Sequence, residues 1–100
     1  MTKLLPPKSC ETMTEFRTQI DAIDAELVHL LSDLSAYIDR AIDLKQIEVL
    51  LARIVDRVGE VLHNVRKNAT KHALDPELTQ TLWLELIEWS IQREAKQLDI

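Results

Sequence analysis

From Glu11 to about Lys45, apolar side chains recur at Phe16, Ile20, Ile23, Leu27, Leu30/Leu31, Leu34, Ile38 and Ala41/Ile42. The steps alternate between three and four residues, the signature of one stripe on a helix held for roughly nine turns. At 1.5 Å per residue such a helix is about 50 Å long, more than a small domain is wide. The stripe is therefore expected to be buried against something outside its own subunit. Upstream, Met1–Cys10 reads as a lead-in, because Pro6-Pro7 stops a helix from starting there. Thr12 and Glu15 form a capping-box pattern that starts the first helix.

A second apolar set, Ile47, Leu50/Leu51, Ile54, Val58, Val61/Leu62 and Val65, is again helical in spacing. One rod from Thr12 to His72 would reach about 90 Å, so a break is expected within Leu44–Val49 and the second helix runs to about His72. Asp75-Pro76 supplies an N-cap and a first-turn proline for a third helix carrying Leu78, Leu82, Trp83, Leu86, Ile87, Trp89, Ile91 and Leu98. The expected fold is all-α, with three helices in a single domain over residues 11–100. Composition sharpens this: one Gly and three Pro leave too few turn formers for a sheet and its hairpins.

A net charge of −5 argues against nucleic acid or an anionic membrane as partner, since both need a basic face. Cys10 is the only cysteine, so no internal disulfide is available and a reducing, cytoplasmic setting fits. No apolar run approaches a membrane span and no signal peptide is visible. His29, His63 and His72 lack metal-ligand spacing, no glycine-rich phosphate loop exists, and no cofactor is expected.

Against that acidic background the few cations on apolar stripes stand out. Lys45 continues the first stripe, Arg57 falls on the second, and Arg17 flanks the first beside Phe16. On the third helix Trp83, Ile87, Ser90 and Glu94 share a face, so a hydroxyl and a carboxyl replace an apolar pair. Ionic groups facing a core need a counter-charge. That counter-charge is either an anionic ligand or an internal acid such as Glu94, and spacing alone leaves both open.

The run FRTQIDAIDAELVHLLSDLSAYIDRAIDLK resembles the first helix of the all-helical chorismate mutases, with its Arg, IDxID pattern and terminal Lys. RVGEVLHNVRKNATKHALDPELTQTLWLELIEWSIQRE resembles their second and third helices, and the PPKSC lead-in is similar to the isochorismate-pyruvate lyase branch. The resemblance covers about residues 9–98. It implies an intertwined homodimer with two sites for a substrate bearing two carboxylates, and a role in the shikimate pathway of aromatic amino acid biosynthesis. It implies that Arg17 reaches into the partner's site to bind a carboxylate, and that Lys45 holds the other carboxylate and the ether oxygen. Arg57 completes the cage, Ser90 contacts the substrate, and Glu94 takes the place of an ether-binding Gln; Lys45 and Glu94 carry the catalysis. Three positions depart from the pattern. Leu34 stands where the family has a second Arg, and Ile54 and Val58 stand where acids hold the ring hydroxyl. Arg53, one turn before Arg57, is the nearest cation that could compensate. The functions implied are a chorismate mutase, an isochorismate-pyruvate lyase, or a mutase-like helical dimer that is an interaction or regulatory module without catalysis.

Overall fold

A computed structural model describes residues 3–98. Its helices are α1 (Met13–Glu48), α2 (Val55–Lys71) and α3 (Pro76–Ala95), preceded by a 3₁₀ turn at Pro7–Ser9, and there is no strand among the described residues. The all-α expectation therefore holds. The chain divides into two compact units, Met1–Ala36 and Tyr37–Ile100, with α1 contributing to both.

In the first unit the Thr12 hydroxyl accepts from the Glu15 N–H at 3.1 Å, which is one half of the expected capping box. The lead-in is tied to the helix where the Leu5 N–H donates to Gln19 Oε1 at 2.9 Å. The apolar stripe is present but uncovered: Phe16, Ile20, Ile23, Leu27, Leu31 and Leu34 are all 38–52% exposed.

The second unit holds the core. Ile42, Ala52, Ile91 and Leu98 are buried together, with Val58, Ile87 and Ala95 packed against them. α2 and α3 form an antiparallel hairpin, with Ala69 and Thr79 buried. Arg66 ties them by donating to Gln80 Oε1 at 2.9 Å and to Glu77 Oε1 at 3.1 Å. The Asp75-Pro76 signal works as read: Asp75 Oδ1 accepts from the Glu77 N–H at 2.9 Å, and Pro76 opens the helix. Leu98, expected on the third helix, follows it in the closing turn and is buried there.

α1 stops inside the expected window, but the second helix starts later than the apolar spacing suggests. Val49 adopts φ 58, and the Leu50 N–H bonds back to the Lys45 carbonyl at 2.8 Å. That six-to-one bond with a left-handed residue inside it is a Schellman reversal. It turns residues 49–54 into a connection, so Leu50, Leu51 and Ile54 are not helical. The same device closes α2, where Ala73 has φ 57 and the Leu74 N–H bonds to the Ala69 carbonyl at 2.8 Å. Neither position is glycine, although glycine is the residue this conformation favours.

Candidate functional site

Two of the residues singled out by the sequence meet. Lys45 comes from the last turn of α1 and Glu94 from the last turn of α3, and Lys45 Nζ lies 2.7 Å from Glu94 Oε1. Their side chains are 17% and 7% exposed. The ammonium also donates to the Ala52 carbonyl at 2.8 Å. Its approach to Glu94 is close enough for an ion pair but lies outside hydrogen-bond angles, so Oε1 is buried without a hydrogen-bond donor. We take the contact as an electrostatic pair, because 2.7 Å between opposite charges is attractive at any angle. Of the two counter-charges left open by the spacing, the internal acid is the one in place.

The other candidates are dispersed. Arg57 was expected on the buried stripe of the second helix; it is exposed and pairs with Glu60 one turn along. Because α2 begins at Val55, Arg57 sits in its first turn, and it is Val58 that faces the core. Arg53 precedes α2 and pairs with Glu88 of α3 at 2.6 Å. Ser90 is half-buried and donates to the Leu86 carbonyl of its own helix at 2.8 Å. Arg17 lies in the first unit on an exposed face of α1. Leu34 is 39% exposed on the stripe, while Ile54 and Val58 are half-buried. No group of His, Cys, Asp or Glu suited to a metal ion occurs among the described residues.

A concavity of about 460 Å³ opens beside this pair, walled by Lys45, Gln46, Val49, Leu50, Leu51 and Leu98, with Lys45 the one charged side chain among the described residues that line it. A second, of about 420 Å³, holds a feature the sequence did not announce. There Arg93 grips Asp39 through two bonds, at 2.6 and 3.1 Å, and lies over the Trp89 ring at 5.3 Å from its centroid. The Arg93 guanidinium holds the Asp39 carboxyl below its ordinary range by hydrogen bonding, and Asp39 in turn raises Arg93. Both are half-exposed, so water screens the pair and its role is to fix α1 against α3. Trp89, one of the apolar residues of α3, is 48% exposed as the platform of this fork. Asp39 and Arg93 are 54 residues apart, a pairing no local spacing signals.

A cation and an acid held together in a half-enclosed niche, open to a cavity of ligand size, can bind and polarise a small anionic molecule. No helix among the described residues is long and apolar enough to cross a membrane. No curated protein sequence and no solved structure matches the chain significantly. At the level of the family there is a match: the chain belongs to the type II chorismate mutase family, whose model matches it over residues 16–95.

Proposed function

We propose that the protein is a cytoplasmic chorismate mutase that works as a homodimer, converting chorismate to prephenate without a cofactor. The observation that carries this reading is the meeting of Lys45 and Glu94 in a sheltered niche, 2.7 Å apart; these are the two residues to which the sequence resemblance assigns the ether oxygen. A Claisen rearrangement needs no nucleophile. It needs the enolpyruvyl arm held over the ring and charge stabilised on the breaking ether oxygen. Lys45 serves the oxygen and one carboxylate. Arg17 of a second copy serves the other carboxylate, which also supplies a cover for the exposed stripe of α1. Arg57 joins by leaving Glu60, a trade that costs little because an exposed pair is worth about 0–1 kcal/mol. Ser90 keeps acceptor capacity after its bond to Leu86.

In this reading the substrate competes with Glu94 for Lys45, and the Glu94 carboxylate stands where it would repel a dianionic substrate. Glu94→Gln is therefore expected to be the better enzyme, because the amide keeps a donor for the ether oxygen and removes the like charge. The decisive test mixes purified protein with chorismate or isochorismate and follows prephenate and salicylate. Prephenate formation that falls at least 100-fold in Arg17→Ala and Lys45→Ala is the expected result. Salicylate from isochorismate would assign the lyase reaction instead.

A second reading rests on a separate observation. Leu34, Ile54 and Val58 are apolar where the family places charged residues, and Arg57 is engaged in solvent. Loss of one charge-assisted contact costs roughly 1.5–3 kcal/mol. A helical module that binds a partner without catalysis is the alternative, favoured if calorimetry finds no binding of a dicarboxylate transition-state analogue.

A further inference from the structure

Lys45 is fastened at both ends by the connection that follows it. Its backbone carbonyl accepts from the Leu50 N–H at 2.8 Å, and its side-chain ammonium donates to the Ala52 carbonyl at 2.8 Å. Immediately before those two anchors stands Val49 in the left-handed region, φ 58 and 88% exposed. Ala52 itself is 2% exposed, packed with Ile42, Ile91 and Leu98, so its carbonyl is held by the core and not by solvent. A buried carbonyl needs a donor, and Lys45 is the donor it has.

We propose that residues 49–52 form a clamp whose task is to position the Lys45 cation, with Ala52 the positioning residue that acts through its backbone carbonyl. The inference rests on the reading of Lys45 as the anion-binding cation of this site. A free lysine side chain loses about 0.5–1.5 kcal/mol of conformational freedom when a ligand immobilises it. Here that cost is met in folding, so the ammonium stands ready at the cavity wall. An ammonium has three donors. One bond to Ala52, beside the electrostatic pairing with Glu94, leaves two donors for a ligand, so the clamp orders the cation without using it up. Val49 and Leu50 share the cavity wall with Lys45, so the segment that orders the charge also shapes the space in front of it.

The test replaces the Ala52–Arg53 amide by an ester in the full-length chain made by chemical ligation, which weakens the one carbonyl, removes the Arg53 N–H, which makes no hydrogen bond among the described residues, and changes no side chain. Leu50→Pro is the genetic counterpart: it removes the N–H that closes the reversal. Val49→Gly is the control that keeps the left-handed turn. Side-chain order at Lys45 is read by NMR in the free protein, with exposed Lys67 and Lys71 as internal references. In the wild type and Val49→Gly, Lys45 is expected to be rigid. In the ester and Leu50→Pro chains it is expected to become measurably more mobile than in the wild type, though short of exposed Lys67 because the pairing with Glu94 remains. Affinity for a cyclic dicarboxylate is then expected to fall about 2- to 10-fold in the ester chain, the range that the immobilisation cost converts to. A Lys45 that stays rigid in the ester chain, or is already mobile in the wild type, overturns the clamp. Loss of the proposed function reads differently: no dicarboxylate binds the wild type, while the order measurement still reports on the clamp.

Discussion

Two stretches of the same helix carry the same pattern and meet different fates. From Phe16 to Leu34 the stripe of α1 is exposed along its whole length, whereas Ile42, two turns further on, is buried against Ile91. Periodicity thus establishes that a helix has an apolar face. It says nothing about what covers that face. The C-terminal stretch is covered because α3 returns to it, with Lys45–Glu94 and Asp39–Arg93 fixing the register. For the N-terminal stretch the proposed cover is a second copy.

A charge placed on the uncovered stretch should separate the two fates most sharply. Leu27→Asp would cost under about 0.5 kcal/mol if that stretch faced water in the working protein. If a second copy covers it, burying an unpaired carboxylate costs several kcal/mol, and sedimentation should show a dimer becoming a monomer. On the covered stretch, Lys45→Met leaves Glu94 buried without its counter-charge and Ala52 without a donor. A loss of about 3–5 kcal/mol is expected in denaturant unfolding, with a smaller loss for the double variant Lys45→Met/Glu94→Gln. Ile91→Ala opens a hole in the same core and should cost about 2–4 kcal/mol by the same measurement.

The remaining effects are smaller. Val49→Gly relieves a β-branched residue of a left-handed conformation, offset in part by the greater freedom of glycine when unfolded. A gain of about 1 kcal/mol is expected, visible as a raised Tm. Asp39→Asn loosens the fork with Arg93. Because the folded Asp39 carboxyl is held below its ordinary value of 3.8, its contribution is complete above that value and fades as pH falls through the lowered one. The Tm difference between wild type and Asp39→Asn should therefore be present at pH 6 and close toward the acid end.

The helices were legible because their signals are local. Asp75-Pro76 and Thr12 announce their caps, and the scarcity of glycine and proline removes the alternatives. The start of α2 was not legible, because Ile47, Leu50, Leu51 and Ile54 keep helical spacing through a connection closed by a valine. Of the candidate site, Lys45 and Glu94 could be found as polar interruptions of apolar stripes. Arg57 could not be placed, since a shift in the helix start turns a stripe residue toward water. The Ala52 carbonyl has no signature at all, being backbone that any residue would offer.

The bare stripe has a further consequence, for how the protein responds to dilution. α1 has 36 residues and buries one of them, Ile42, within its own chain. Whatever covers the rest supplies a share of the folding free energy that depends on mass action. If the cover is another copy, the melting temperature climbs with protein concentration, and dilution alone acts as a denaturant. Abundance in the cell then sets the fraction of chains competent to bind anything at Lys45.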